Sequence, residues 1–265
     1  MEHNLTTYRG FVLDLDGTVY LGENAIPGAP RLIDALRQDG CGVVFVSNKP
    51  LEPRQVYAEK LTRLGIPAGP DDVINSSQVL ARYLRDELAG TTLFVIGEPP
   101  LIDELAAAGF AFSEEPGEID VVVASFDRSF DYHKLNTGYQ ALRRGARFLA
   151  TNADRTCPVA GGEIPDAGAV IGALQGCSGR QVELVVGKPS PLIIDLALER
   201  LGVPAKSCLM VGDRLETDIL MGQQAGMDTA VVLTGVTRRE DLRGATVQPR
   251  FVLDSVAELQ SILGK

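Results

Sequence analysis

Histidine and cysteine are scarce in this sequence of 265 residues, and their placement excludes several kinds of site. His3 and His133 are the only two histidines, so a histidine-rich metal centre is excluded. The four cysteines form no C-x-x-C pair, which indicates buried thiols in a reducing compartment rather than disulfides or zinc ligands. They are Cys41, Cys157, Cys177 and Cys208.

Long apolar runs and an excess of basic residues are also missing. No stretch approaches the roughly 18 consecutive apolar residues of a membrane span, and the opening MEHNLTTYRG lacks the basic-then-apolar layout of a secretion signal. The formal net charge of -10 at pH 7 disfavours nucleic acid and membranes as partners. We therefore expect a cytoplasmic protein, and 45% hydrophobic residues are enough for a packed core.

Apolar segments alternate with amphipathic helical segments along the chain, which predicts an α/β fold with a parallel sheet. Strands are predicted over 10–14, 42–46, 182–187 and 208–213. Because open α/β sheets bind ligands at the carboxyl ends of their strands, we expect the residues after these four strands to converge on one site.

Polar residues end each of the four predicted strands or come shortly after it. In chain order they are Asp14 and Asp16, then Ser47 and Asn48, then Lys188, and finally Asp213 and Asp218. A helix capped by Ser190 and ended by Gly202 is predicted after Lys188, and a second one from about Leu215 to Ala225. An acid in the first turn of a helix often only caps the helix, so Asp218 taken by itself could be a cap rather than a site residue.

Carboxylates gathered in a crevice repel one another and lose hydration, so a cation or a proton must compensate them. Mg²⁺ prefers oxygen ligands, and Asp14 with Asp213 and a backbone carbonyl would suit it together with a substrate phosphate. Asp14 is ionised at neutral pH if unperturbed, and it is a competent nucleophile that can form an aspartyl-phosphate. Asp16, crowded by like charge, can act as the acid and then the base.

The remaining polar residues suit the same chemistry. Ser47 or Asn48 can hydrogen-bond phosphoryl oxygens, and Lys188 supplies positive charge. Each signal is weak by itself, because D-x-D-G segments also occur in turns and calcium loops. Their order along the chain, each after an apolar strand, makes the combination specific.

The segments DLDGT, SNK, GKPSP and GDRLETDI resemble, in this order, the four motifs of the haloacid dehalogenase-like phosphohydrolases. The resemblance implies that Asp14 is the nucleophile and Asp16 the acid and base. It further implies that Ser47 binds the phosphate and that Lys188 stabilises its charge. Mg²⁺ would be held by Asp14, Asp213 and the backbone carbonyl of Asp16, and Asp218 would orient the metal shell.

The spacing of these motifs predicts an inserted domain. Only 30 residues separate Asp16 from Ser47, whereas 140 separate Ser47 from Lys188 and carry strands and helices of their own. The predicted domains are the first part of the core at 1–76, an inserted α/β cap at 77–182 and the second part of the core at 183–265. This layout resembles subfamily IIA, the NagD-like and para-nitrophenyl phosphatases. It implies a Rossmann-like core and a small phosphorylated metabolite as substrate, such as a nucleotide, a sugar phosphate or phosphoglycolate, and it leaves a homodimer open.

Residues 151–169, TNADRTCPVAGGEIPDAGA, are polar and rich in glycine and proline, which predicts a functional loop in the cap. The segment resembles the family's Asn-Pro-Asp sequence at Asn152 and Asp154, with Ala153 in place of the proline, and this implies that Asn152 and Asp154 bind the substrate. An ordinary connection with a solvated Asp154 is the alternative. Asp166, if it points inward, should disfavour strongly anionic leaving groups.

Three other functions stay open at this point. Asp14 could be the phospho-acceptor of a signalling receiver module, although such a module needs no insertion of this size. A non-catalytic, metal-dependent binder of phosphorylated metabolites is a second alternative, although every catalytic position is filled. Phosphoryl transfer to another hydroxyl uses the same nucleophile, and the sequence separates it poorly from hydrolysis.

Overall fold

The computed structural model describes residues 8–159 and 161–262. Its strands are β1 (Gly10–Asp14), β2 (Tyr20–Leu21), β3 (Asn24–Ala25), β4 (Gly42–Ser47), β5 (Val73–Asn75), β6 (Thr92–Ile96), β7 (Ala111–Phe112), β8 (Val121–Ala124), β9 (Arg147–Ala150), β10 (Thr156–Val159), β11 (Gly162–Pro165), β12 (Leu184–Val185), β13 (Cys208–Gly212), β14 (Asp228–Val232) and β15 (Phe251–Leu253). Its α-helices are α1 (Ala29–Gln38), α2 (Arg54–Arg63), α3 (Ser76–Glu87), α4 (Pro99–Ala107), α5 (Tyr132–Arg143), α6 (Ala167–Ser178), α7 (Pro191–Leu201), α8 (Leu220–Gln224) and α9 (Leu259–Ile262).

The described residues divide into two compact units. The second unit comprises residues 48–53 and 75–187, and the first unit comprises the other described residues. The predicted insertion, 77–182, falls inside the longer segment of the second unit, and its assignment as a cap remains a prediction. Within the part of the chain described here, every helix is too short or too polar to cross a bilayer.

The first unit is built on a six-stranded sheet with the order β15-β14-β13-β1-β4-β5. The central strand β1 pairs in parallel with β4 on one side and with β13 on the other. All five residues of β1 are buried, as expected of a strand covered on both faces, and Phe11 and Leu13 pack in one cluster with Phe45 and Val211. The parallel α/β core predicted from the sequence is confirmed.

The second unit contains a five-stranded sheet with the order β12-β9-β8-β6-β7 and parallel pairing throughout. Leu142 of α5 and Leu174 of α6 pack in one buried cluster with Val122 and Phe148 of the sheet. This unit therefore has a hydrophobic core of its own.

The prediction of a core strand over 182–187 is wrong in its sheet and its length. Strand β12 covers only Leu184–Val185, and Leu184 pairs with Leu149 of β9 in the second unit. A short apolar segment fits the edge of either sheet, and only its pairing partner distinguishes the two. Three of the four predicted strands, and not all four, belong to the core sheet.

The predicted loop at 151–169 is instead largely regular structure. Strands β10 and β11 form an antiparallel hairpin in which Thr156 pairs with Pro165, and α6 begins at Ala167. Residue 160 lies outside the described residues. The hairpin lacks the alternating apolar pattern by which a half-buried strand is predicted, which explains why the sequence did not indicate it.

The two helices predicted around the core motifs are present. Helix α7 begins after Ser190, whose hydroxyl accepts a hydrogen bond from the Leu192 backbone N–H at 3.4 Å, and it ends at Gly202 with φ of 66°. The predicted helix from Leu215 to Ala225 begins with a wide π-helical turn over Leu215–Ile219 before α8.

Candidate active site

Asp14 ends the central strand of the first unit, between two strands that carry other predicted site residues. Asp14 pairs with Val46 of β4, so that Ser47 comes next along the neighbouring strand. On its other side β1 pairs with β13, which ends one residue before Asp213. Asp14, Ser47 and Asp213 are all buried. The parallel register therefore gathers these three side chains at one edge of the sheet, as predicted.

Lys188 joins this group although the strand expected to precede it lies in the other sheet. Its buried ammonium donates a hydrogen bond to Oδ1 of Asp218 at 2.7 Å and another to Oδ1 of Asp14. The second oxygen of Asp218 accepts from the backbone N–H of Arg214 at 3.1 Å. Both oxygens of Asp218 are thus engaged within the protein, and its place in the wide helical turn serves to hold Lys188.

Asp14, Asp213 and Asp218 form a buried acidic cluster, with one oxygen of each carboxylate within 4.8 Å of the others. One oxygen of Asp213, Oδ2, accepts from the Val236 backbone N–H at 2.7 Å. Among the described residues, Oδ2 of Asp14 and Oδ1 of Asp213 have no hydrogen-bond partner. Three buried carboxylates face one ammonium, and two carboxylate oxygens remain for a ligand. This donor set fits a hard divalent cation.

Burial dominates the ionisation of these groups. It raises the pKa of Asp14 to about 8, where Lys188 opposes the rise while Asp218 and Asp213 add to it. Burial, followed by the charge of Asp218, raises the pKa of Asp213 to about 6. Burial alone lowers the pKa of the Lys188 ammonium, but the charges of Asp14 and Asp218 outweigh it and raise that pKa, so Lys188 stays protonated. Further positive charge is needed to ionise the three carboxylates together.

Asp16 lies in the turn between β1 and β2, where it is half-buried and its backbone is bridged to Tyr20. The next residue, Gly17, has φ of 89°, a left-handed conformation that favours glycine. A Cβ on Gly17 would also lie 2.7 Å from Oδ2 of Asp213. The glycine of the D-x-D-G segment thus permits both the sharp turn and the close approach of Asp213.

The segment after β14, which none of the predicted motifs includes, also shapes the site. Besides the hydrogen bond from Val236, the Thr234 hydroxyl donates to the Gly17 carbonyl at 2.6 Å. A Cβ on Gly235 would lie 2.0 Å from Oδ2 of Asp213. The signal was available, because LTGVT follows an apolar run at the same end of a strand parallel to β13.

The other predicted substrate-binding residues form a separate network in the second unit. The amide of buried Asn152 donates to Oδ2 of Asp154 at 3.1 Å and to Oδ1 of Asp166 at 3.0 Å. Asn48 donates to the same oxygen of Asp154 at 3.2 Å. Asp166 is the N-cap of α6, accepting from the Ala167 backbone N–H at 2.5 Å, and burial raises its pKa. Asp154 is half-buried and held by two amides rather than freely solvated.

Comparisons with known proteins agree with this fold. Residues 11–111 match the family model of the haloacid dehalogenase-like hydrolases, and residues 185–259 match a second model described as HAD-hydrolase-like. Sugar-phosphatase AraL of Bacillus subtilis is 39% identical over 253 residues, which are 96% of this chain and 92% of that protein. The 5'-nucleotidase YutF of the same organism is 35% identical over 96% of this chain and 98% of its own length.

Solved structures of phosphatases are also similar to this chain. A 4-nitrophenylphosphatase from Thermotoga maritima superposes with a TM-score of 0.93 at 35% identity, covering 98% of this chain and 99% of that one. NagD from Escherichia coli K-12 superposes with a TM-score of 0.87 at 32% identity, covering 95% and 98% of the two chains. The chain belongs to the haloacid dehalogenase-like hydrolases. Within them it falls in subfamily IIA, the branch of NagD and the para-nitrophenyl phosphatases.

Proposed function

We propose that this protein hydrolyses phosphate monoesters of small metabolites with the help of Mg²⁺, through an aspartyl-phosphate on Asp14. Phosphatase is the enzyme class common to its relatives, whose names specify sugar phosphates, nucleotides and 4-nitrophenyl phosphate. The observation that carries the proposal is the buried group around Lys188, in which one ammonium binds Asp14 and Asp218 beside Asp213.

In the first step a carboxylate oxygen of Asp14 attacks phosphorus, and the ester P–O bond breaks. Asp16 donates a proton to the departing alkoxide. In the second step Asp16 takes a proton from water, which attacks phosphorus and releases inorganic phosphate from Asp14. Lys188 holds Asp14 in place and offsets negative charge at the site.

The other site residues bind and orient. Ser47, at the end of β4, and Asn48 after it would donate hydrogen bonds to phosphoryl oxygens. Asp14, Asp213 and the backbone carbonyl of Asp16 would hold Mg²⁺, which supplies charge compensation for the transferred phosphoryl group. Asp218 keeps Lys188 in position.

Recognition of the leaving group by Asn152 and Asp154 remains a prediction of the sequence resemblance. The hydrogen bonds that Asn48 and Asn152 both donate to Asp154 support a shared role for these three residues. A homodimer and a cytoplasmic location also remain predictions.

The decisive experiment measures phosphate release from a panel of nucleotides, sugar phosphates, phosphoglycolate and para-nitrophenyl phosphate, with Mg²⁺ or with a chelator. Wild type should release phosphate only with Mg²⁺, and Asp14→Asn should release none. Asp195→Asn, an exposed aspartate on α7, is the matched control and should retain activity. No release by folded wild type with Mg²⁺ would refute the proposal, and phosphate recovered on an added alcohol instead would indicate phosphoryl transfer.

A further inference from the structure

The turn that carries Asp16 is closed by the backbone of Tyr20. The Gly17 N–H donates to the Tyr20 carbonyl at 2.8 Å, and the Tyr20 N–H donates to the Leu15 carbonyl at 3.1 Å. These hydrogen bonds join Tyr20 to both Leu15 and Gly17, the two neighbours of Asp16 in the chain. The position of Asp16 therefore depends on where Tyr20 is held.

The side chain of Tyr20 is held by helix α2. Tyr20 is 3% exposed, and the Lys60 ammonium lies 4.1 Å from the centroid of its ring, in the geometry of a cation–π contact. The same ammonium lies 3.1 Å from Oε1 of Glu23, in the turn between β2 and β3. Lys60 thus binds the β2–β3 hairpin at its start through an aromatic ring and at its tip through an ion pair.

The Lys60 side chain is well suited to this role because most of it is buried. Its side chain is 19% exposed, whereas Arg63, one turn further along α2, is 62% exposed and reaches Glu23 only at 4.0 Å. Lys60 contacts both the Tyr20 ring and Glu23, whereas Arg63 reaches only Glu23 and at a longer distance, so Lys60 contributes more to holding the hairpin than Arg63 does.

We infer that Lys60 is a positioning residue for Asp16, acting through Tyr20 on the proton transfer to the leaving group. The inference rests on the proposed function, in which Asp16 is the general acid. A general acid must lie within hydrogen-bond reach of the oxygen that it protonates, and a misplacement of the order of 1 Å lowers the rate strongly. Lys60 controls this distance through the hairpin without taking part in the chemistry.

The test uses the different need of two leaving groups for a proton. A sugar alkoxide is a poor leaving group and requires the general acid, whereas para-nitrophenolate departs readily without one. The measured quantity is kcat/KM, which reports the steps up to cleavage of the ester bond. Lys60→Met should lower kcat/KM for a sugar phosphate by about tenfold and for para-nitrophenyl phosphate by less than about twofold, since only part of the general-acid contribution is lost.

Two variants serve as controls. Lys60→Arg keeps a cation over the ring and should recover most of the sugar-phosphate activity. Arg63→Met removes a charge from the same helix and should leave the ratio of the two kcat/KM values unchanged. Glu23→Gln, at a side chain that is 76% exposed, tests the ion pair without threatening the fold and should show the same selective loss on a smaller scale.

The outcomes separate the inference from the proposed function. If wild type hydrolyses neither substrate, the proposed function fails. If wild type hydrolyses both while Lys60→Met and Glu23→Gln lower the two kcat/KM values equally or leave both unchanged, the positioning role of Lys60 is refuted. Equal losses would mean that the contact only stabilises the fold, and the urea midpoint of each variant would show this directly.

Discussion

Gly235 is packed so closely against Asp213 that a Cβ on the glycine would lie 2.0 Å from Oδ2 of the carboxylate. Backbone from the segment after β14 therefore forms one wall of the acidic cluster, and a side chain at this position would displace Asp213.

Gly235→Ala should therefore impair the reaction strongly. We expect kcat/KM to fall by roughly 100-fold, because a shift of the order of 1 Å in a site residue can cost that much. Gly172→Ala is the control, since a Cβ there meets nothing within 4 Å and alanine favours the helix α6. It should keep full activity and raise the stability by about 0.5 kcal/mol. Unchanged activity in Gly235→Ala would mean that Asp213 is not needed in its observed position.

Mg²⁺ should stabilise the folded protein, because it offsets the repulsion among Asp14, Asp213 and Asp218. At a free Mg²⁺ concentration about 100 times its dissociation constant, binding to the native state alone adds about 2.7 kcal/mol to the free energy of unfolding. This gain appears as a higher melting temperature. Asp213→Asn removes one carboxylate oxygen of the donor set and should lose most of this shift, whereas Asp195→Asn should keep it. An equal shift in Asp213→Asn would place the bound cation elsewhere.

Thr18 tests the cost of a buried hydroxyl. The residue is 0% exposed, and its Oγ1 has no hydrogen-bond partner among the described residues. Thr18→Val preserves the shape and removes the unpaired group, so the free energy of unfolding should stay constant or rise by about 1 kcal/mol. The measurement is urea unfolding.

The matched control for Thr18 is Thr151, which is equally buried but paired. Its hydroxyl lies 2.9 Å from Oδ1 of Asn152, to which it donates, and 2.8 Å from the Ser125 hydroxyl. Thr151→Val should lower the free energy of unfolding by about 1 to 3 kcal/mol, because Asn152 loses a buried donor. Equal destabilisation by both variants would show that the Thr18 hydroxyl has a partner after all.

The Glu98–Arg128 pair predicts a pH dependence of stability. Hydrogen bonds from the Arg128 guanidinium, each 2.9 Å long, are the largest effect and lower the pKa of Glu98 from 4.5 to about 2. A carboxylate with a lowered pKa contributes its full stability above the unfolded value and loses it as the pH falls. The contribution should therefore decline between about pH 4.5 and pH 2.

The variant that checks this is Glu98→Gln. Because the Arg128 side chain is 66% exposed, we expect the substitution to cost only about 1 kcal/mol at pH 7. Urea midpoints of wild type and Glu98→Gln should converge as the pH is lowered through this range. Glu87→Gln, at an exposed residue of α3, measures the background effect of one lost charge. A gap that stays constant down to pH 2 would contradict the assignment.

Much of the fold and site could be predicted because the relevant rules act over short stretches of chain. A buried apolar strand followed by Asp14 and Asp16 identifies itself within ten residues, and so does the helix between Ser190 and Gly202. Since parallel strands end at the same edge of their sheet, the sequence predicts that the residues at the ends of three of these strands lie together.

Sequence by itself thus determined the α/β class and the residues gathered around Asp14, and it predicted a large insertion. Only the tertiary structure decided that the strand before Lys188 pairs in the second unit, that Val236 and Gly235 enclose Asp213, and that Lys60 contacts Tyr20. The physical reason is that local patterns record propensity and burial, whereas these contacts join residues far apart in the chain. Their partners are selected by how the whole chain buries its apolar surface and pairs its polar groups.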